Sequence, residues 1–143
     1  MILLDTNVVS EPLRPAPEAR VIEWIDAQPL ETLYLSAMTV AELRAGVALL
    51  PAGKRRDRLH EHLEKLVLPL FAGRVLPFDL ACTSAYAELL VKARRCGGGI
   101  ETADACIAAV ALANQFTVAT RDVDPFRAAG LTVIDPWQGN EQG

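Results

Sequence analysis

The sequence predicts an α/β fold, a single domain of three layers (α/β/α) with a central, mostly parallel sheet of about five strands. Short apolar runs alternate with longer segments whose apolar residues recur at helical spacing, which is typical of strands separated by helices. Strands connected in this way form parallel sheets that carry helices on both faces. The chain has 143 residues, of which 51% are hydrophobic, and this length suffices for one core but not for two.

Five short apolar runs predict the strands. The first run ends at a carboxylate, Asp5, and each of the others lies between segments of helical periodicity or turn residues. The predicted strands are residues 2–4, 32–35, 75–78, 117–119 and 132–134.

Five segments of helical periodicity predict the helices. A proline ends each of the first two, because proline cannot continue a helix, and a glycine triplet ends the fourth. Four leucines on one face of the third predict a core face, with a dimer face as the second possibility: Leu59, Leu63, Leu66 and Leu70. The fifth is apolar nearly all round and should be buried. These segments are residues 18–28, 39–50, 58–70, 80–95 and 102–115.

The composition excludes several classes of protein. The net charge of −4 excludes a protein that is held to nucleic acid by its overall charge. The longest apolar stretch, residues 105–113, is about half of the ~20 residues that a bilayer span needs, and the amino terminus shows no signal-peptide pattern. The three cysteines are widely spaced and form no CxxC motif. We therefore expect a reduced, cytoplasmic protein without membrane association.

Four carboxylates are predicted to lie near the carboxyl ends of the strands, where ligands bind in open parallel sheets. Asp5 directly follows the first strand, and Asp122 follows the fourth. Glu42 comes shortly after the second strand, and Asp104 lies at the start of the buried helix. We expect these four side chains to converge.

Each carboxylate also has an explanation that involves no function. Asp5 could cap a short helix, and Glu42 could complete a capping box with Thr39. Asp104 would be favoured by the dipole of its helix, and Asp122 is an ordinary turn residue. Taken one at a time, these explanations remain open.

Taken together, four converging carboxylates favour a metal site. Two like charges about 4 Å apart repel by about 4 kcal/mol at an effective dielectric constant near 20. Such a cluster takes up protons or binds a cation, and its hard oxygen ligands suit Mg²⁺ or Mn²⁺. A metal of this kind can activate water and neutralise the charge that develops on a phosphodiester.

Four short motifs, in this order and at these spacings, resemble those of the PIN-domain ribonucleases, specifically the VapC and FitB-like toxins of toxin–antitoxin pairs. The resemblance covers residues 1 to about 137, so we expect a PIN domain over 1–137 and a flexible tail over 138–143. The motifs are residues 1–12 with Asp5, 35–46 with Glu42, 102–109 with Asp104 and 118–122 with Asp122.

The resemblance implies a PIN-like fold and a metal-dependent endoribonuclease in which a metal-activated water hydrolyses RNA. It implies that Asp5 and Asp104 hold Mg²⁺ (or Mn²⁺), while Glu42 and Asp122 complete the acidic pocket and orient water. Many relatives differ around the fourth acid, so Asp124 is an alternative to Asp122, which we favour because it keeps the spacing from the preceding residues. The resemblance also implies a homodimer and a small DNA-binding antitoxin as partner.

Several alternatives stay open at this stage. A catalytically silent PIN-like binding module, acting with an antitoxin in operon repression, would keep the same acids. A phosphatase that uses Asp5 as nucleophile is disfavoured, because it would need a second Asp where Asn7 stands. Two basic clusters, residues 54–58 and 92–95, could guide an RNA backbone, although solvated helix ends explain them better. Polar neighbours of the acids could orient water or phosphate: Thr6, Asn7 and Thr120.

Overall fold

The structure, a computed structural model, describes residues 1–138. Its strands are β1 (Ile2–Leu4), β2 (Leu33–Ser36), β3 (Val75–Leu76), β4 (Thr117–Ala119) and β5 (Val133–Ile134). Its α-helices are α1 (Thr6–Ser10), α2 (Ala19–Ala27), α3 (Ala37–Ala48), α4 (Lys54–His62), α5 (Leu80–Arg95), α6 (Thr102–Asn114) and α7 (Val123–Ala128). Short 3₁₀ segments (Glu11–Leu13, Leu30–Thr32 and Leu68–Phe71) and one π-helical turn (Leu63–Val67) connect them.

The five strands form one sheet in the order β3-β2-β1-β4-β5, and every neighbouring pair is parallel. Successive side chains of a strand point to opposite faces of the sheet. Accordingly, Leu3 and Val118 belong to a core cluster with α5, α6 and α7, whereas Leu4 and Ala119 belong to a second cluster with α1, α2 and α3. The predicted three-layer α/β/α fold is confirmed.

The strand order places a topological switch point between β1 and β4. From β1 the chain builds outward through β2 and β3, and it then returns to the other side of β1 to add β4 and β5. Parallel sheets bind ligands in the crevice at such a point, outside the carboxyl ends of the strands. Because Leu4 pairs with Ala119, the next residues, Asp5 and Thr120, lie side by side there.

Two short helices were missed by the sequence prediction. Periodicity needs more than one or two turns to be visible, and α1 and α7 have five and six residues. Both begin directly after a carboxylate of interest, Asp5 or Asp122. The bounds of β1, β4 and α5 agree with the prediction, and the other predicted elements differ at their ends.

The prediction that all four leucines of residues 58–70 belong to the core is wrong, and the dimer face stays a prediction. The α-helix ends at His62 and a π-helical turn follows, which changes the angular spacing of the side chains. Leu63 is buried, but Leu66 is 61% exposed and Leu70 is 50% exposed. Leu66 and Leu70 are therefore not part of the hydrophobic core.

Two further expectations concern the carboxy-terminal tail and association with a membrane. The predicted tail begins at Gln138, and residues 139–143 lie outside the described residues. Within residues 1–138, no helix has the length and apolar character needed to cross a membrane.

Candidate active site

Asp5 is a buried carboxylate at the carboxyl end of β1, with an exposed fraction of 3%. It is the N-cap of α1, and its Oδ1 accepts a hydrogen bond from the Thr6 N–H at 2.7 Å. Its Oδ2 accepts one from the Thr120 hydroxyl, also at 2.7 Å, across the β1–β4 pair. Asp5 is therefore both a helix cap and a residue of the switch-point crevice.

Burial raises the pKa of Asp5 to about 6, from an ordinary value of 3.8. The hydrogen bonds from Thr120 and Thr6 stabilise the carboxylate and oppose this change, while the charges of Asp104 and Glu42 add to it. Desolvation and like charge act in the same direction here. A cation at this point would relieve both effects.

Glu42 reaches the cleft from the second turn of α3. The N-cap of this helix is Ser36, whose hydroxyl accepts a hydrogen bond from the Thr39 N–H at 3.1 Å. The helix thus begins two residues before Thr39, and the capping box considered for Thr39 and Glu42 does not form. Instead, Glu42 Oε1 accepts a hydrogen bond from the Thr6 hydroxyl at 2.7 Å.

Asp104 lies in the first turn of α6 and is half-buried. Its pKa is raised, first by burial and then by the charges of Asp122, Glu42 and Glu101. The Asp122 carboxylate is exposed at the start of α7. Asp104 thus lies within electrostatic reach of both Glu42 and Asp122, which come from different elements.

One cleft contains all four predicted acids. Its volume is about 330 Å³, so a hydrated cation has room, since a water molecule in liquid water takes up about 30 Å³. Asp124 does not line the cleft, which favours Asp122 as the fourth acid. The lining residues are Asp5, Thr6, Asn7, Ser10, Glu42, Asp104 and Asp122.

Thr120 connects β4 to the residues that surround the acids. Its hydroxyl donates to Asp5 and accepts from the Asp122 N–H at 3.0 Å and from Asn7 Nδ2 at 3.5 Å. A hydroxyl has one donor and two acceptor lone pairs, so this group is fully used. Of the polar residues noted in the sequence, Thr6 and Thr120 thus bond to the acids or to their backbone, and Asn7 bonds to Thr120 and to the Arg121 N–H.

Ser10 is a lining residue that sequence reasoning missed. It lies one helical turn after Thr6 and therefore on the same side of α1. The four-residue spacing from Thr6 would have indicated Ser10 only if α1 had been predicted, because residues four apart lie on the same side of a helix but not of a loop.

The donor set of the cleft fits a hydrated, hard divalent cation. Within residues 1–138, no three Asp, Glu, His or Cys side chains are placed so that they could hold one ion together. Mg²⁺ does not need three, because it keeps several waters and binds through one or two carboxylates and substrate phosphates. Burial and the neighbouring carboxylates raise the pKa of Asp5 and of Asp104, and a nearby cation would stabilise both in their ionised form.

This chain belongs to the PIN-domain family, whose model matches residues 2–131. Three similar proteins carry informative names. Plasmid stability protein StbB from Pseudomonas syringae pv. tomato is 70% identical over 138 residues, 96% of this chain and 99% of that protein. VapC ribonuclease Y4jK from Sinorhizobium fredii is 57% identical over the same shares of the two chains. Toxin FitB from Neisseria gonorrhoeae is 56% identical over 137 residues, again 96% and 99%.

A solved structure extends this likeness to three dimensions. The structure of FitAB bound to an IR36 DNA fragment matches this fold with a TM-score of 0.93 and 55% identity, covering 96% of each chain. FitAB is a toxin–antitoxin complex. The resemblance to PIN-domain proteins of the VapC and FitB-like type is confirmed, and the names of the relatives support a nuclease.

Proposed function

We propose that this chain is a divalent-metal-dependent endoribonuclease, the toxin of a toxin–antitoxin pair, which hydrolyses RNA phosphodiester bonds. The observation that carries the proposal is the convergence of Asp5, Glu42, Asp104 and Asp122 in one cleft at the switch point of the sheet. The similarity to a protein named VapC ribonuclease supports the activity, and the similarity to toxin FitB supports the biological role.

Asp5 and Asp104 are the residues that would hold Mg²⁺ or Mn²⁺. When bound, such an ion supplies an acidified water and neutralises the charge that develops on the phosphodiester. Asp5 is pre-positioned for this by its two hydrogen bonds, which leave each carboxylate oxygen with a further lone pair. The raised pKa of both carboxyls means that they gain more than exposed carboxylates would from a nearby cation.

Glu42 and Asp122 complete the acidic pocket and orient water. The Thr6 hydroxyl occupies one oxygen of Glu42, which fixes the carboxylate and leaves its second oxygen to accept a hydrogen bond from water. Asp122 is exposed at the rim, where it can contact water that enters from solvent. Its position is set through its N–H, which donates to Thr120.

We propose further that the chain works in the cytoplasm as a PIN domain over residues 1–137, as a homodimer, with a small DNA-binding antitoxin as partner. The DNA-bound FitAB complex supports the partner and a part in operon repression. The same observation supports the alternative, a catalytically silent binding module that acts only with its antitoxin.

Cleavage of RNA by the purified full chain tests the activity and separates these two functions. The probe is a mixed pool of single-stranded and hairpin RNA oligonucleotides, incubated with MnCl₂, MgCl₂ or EDTA. We expect metal-dependent cleavage that falls by about 100-fold or more in Asp5→Asn and in Asp104→Asn. The matched control is Asp124→Asn, an acid of the same region that does not line the cleft and should keep activity.

Two results would contradict the proposal in different ways. Cleavage that is unchanged in both Asp5→Asn and Asp104→Asn would overturn the site assignment. No cleavage of any RNA by the folded wild type would favour the silent binding module. Circular dichroism of each variant shows whether a loss of cleavage reflects the chemistry or the fold.

A further inference from the structure

Arg121 is an exposed arginine at the edge of the acidic cleft. It stands between Thr120, which bonds to Asp5, and Asp122, which lines the cleft. Its own N–H donates to Oδ1 of Asn7 at 3.3 Å, and Asn7 also lines the cleft. The backbone of Arg121 is therefore fixed to the wall of the candidate active site.

The guanidinium of Arg121 is held by an aromatic ring. Its Cζ lies 5.2 Å from the centroid of the Trp137 ring, within the range of a cation–π interaction. Trp137 is itself anchored, because its N–H donates to Asp135 Oδ1 at 2.9 Å and its carbonyl accepts from Arg20 Nη1 at 3.0 Å. The ring thus holds the guanidinium without occupying its N–H donors.

No carboxylate in the described part of the chain pairs with Arg121. The ion pairs found there are Arg14 with Glu11, Arg44 with Glu64 and Lys65 with Glu61. The Arg121 charge does act on Glu11, but that carboxylate is already bonded by Arg14 at 3.0 Å and by the Glu18 N–H at 2.9 Å. Within residues 1–138, Arg121 therefore forms no ion pair, and its charge acts on Glu11 only at longer range.

An RNA phosphate is the anion that this position suits. The acids repel the RNA backbone, so a substrate needs a cation close to them but outside the pocket. The planar guanidinium presents paired N–H donors that match a phosphate, and the Trp137 ring holds one face of it. We propose, on the basis of the proposed function, that Arg121 binds the RNA phosphate next to the scissile one and that Trp137 positions it.

Sequence inspection pointed to other basic residues. The clusters at 54–58 and 92–95 are contiguous along the chain, whereas Arg20 and Arg121 are brought to opposite parts of Trp137 only by folding. The proposal therefore assigns backbone binding to an isolated arginine that has no basic neighbour in sequence.

Salt-dependent RNA binding tests the contact. The probe is a fluorescein-labelled, mixed-sequence single-stranded RNA of about 12 nucleotides, a length within the range that single-strand binding sites cover. Binding is followed by anisotropy in metal-free buffer with all variants in an Asp104→Asn background, so that no cleavage occurs. The variants are Arg121→Gln, Arg121→Lys and Trp137→Leu, and the matched control is Arg127→Gln, an exposed arginine of α7.

We expect Arg121→Gln to raise Kd about tenfold or more at about 0.1 M NaCl, as for the loss of one charge-assisted hydrogen bond. The slope of log K against log salt should fall in magnitude by about 0.7, the value for one phosphate of a single strand. Arg121→Lys should keep the slope, because it keeps the charge. Trp137→Leu should weaken binding with the slope retained, and Arg127→Gln should change neither quantity.

A kinetic measurement separates binding from structure. With otherwise wild-type chain and an RNA that it cleaves, Arg121→Gln should raise KM and leave kcat within about twofold. An unchanged salt slope in Arg121→Gln, or an equal change in Arg127→Gln, would overturn the contact. If the wild type cleaves RNA and Arg121→Gln behaves like it, this inference alone fails, whereas a wild type that cleaves no RNA refutes the proposed function itself.

Discussion

The charge of Asp5 should destabilise the metal-free protein, and the substitution Asp5→Asn measures by how much. The folded pKa is about 6 and the ordinary value is 3.8, a difference that corresponds to about 3 kcal/mol. Between these two pH values the folded state holds a proton that the unfolded state has lost. Stability therefore falls as pH rises through this window, and the full cost of the ionised carboxylate is present above pH 6.

Asparagine removes this cost but also weakens the hydrogen bonds of Asp5. Its single carbonyl oxygen can keep the bond from the Thr6 N–H, and its amide cannot accept from the Thr120 hydroxyl. Losing one such bond costs about 1 kcal/mol. We expect Asp5→Asn to be more stable than wild type by about 1–2 kcal/mol at pH 7.5 and less stable than it at pH 4.

Urea denaturation in EDTA, followed by circular dichroism at several pH values, gives the difference in unfolding free energy between the two proteins. Taking the difference cancels the carboxyls that lie far from Asp5, and what remains is the titration of Asp5 together with its coupling to Asp104 and Glu42. Asp79→Asn is a control in which the unfolding free energy should depend on pH in the opposite direction. The hydrogen bonds with Cys82 hold the pKa of Asp79 below its usual value, so its contribution is present at neutral pH and lost as pH falls. A difference for Asp5→Asn that stays flat between pH 4 and 7 would refute the desolvation argument.

Three further predictions follow from the same geometry. Added MgCl₂ should raise the Tm of the wild type and of Asp124→Asn, but not of Asp104→Asn, because a ligand stabilises only the protein that binds it. Thr120→Val should lower the unfolding free energy measured in urea by about 1–3 kcal/mol, since it leaves the Asp122 N–H without its acceptor and Asp5 Oδ2 without its donor, whereas Thr120→Ser should change it little. Leu63→Ala should cost about 2–5 kcal/mol in the same assay and Leu66→Ala less than about 1 kcal/mol, because only the first side chain is buried; equal losses would contradict the π-helical turn.

The alternation of strands and helices was readable because it depends on local patterns. β1 is wholly apolar, and β4 has two apolar residues after Thr117; both are interior strands of the sheet, so their composition reveals them. The strand order was not readable, because nothing local says that β4 lies beside β1. Convergence of Asp5 and Asp122 could therefore be proposed from the rule about strand ends, and the Asp5–Thr120 bond could not.

Contacts between distant residues account for most of what the sequence did not reveal. The link between Arg121 and Trp137 depends on where the segment after β5 returns along the surface. The exposure of Leu66 depends on one π-helical turn. A prediction that assumes the regular spacing of an α-helix cannot detect such a turn. In both cases the neighbouring residues in sequence are ordinary, and the contacts of the side chain depend on the tertiary fold.

The structural and functional explanations of the acids turn out to describe the same positions. Asp5 is the N-cap of α1, Asp122 is the N-cap residue of α7, and Asp104 lies in the first turn of α6. A strand that runs into a helix at the carboxyl edge of a parallel sheet puts the helix N-terminus beside the ligand crevice, so a residue suited to cap the helix also faces the site. The positive ends of these helices offset part of the repulsion among the carboxylates. Glu42 lacks this help because it lies in the second turn of α3, and it is stabilised by the Thr6 hydroxyl instead. The fold can therefore hold four acids together before a cation binds. The cost is the loss of unfolding free energy caused by the ionised Asp5, which Asp5→Asn measures.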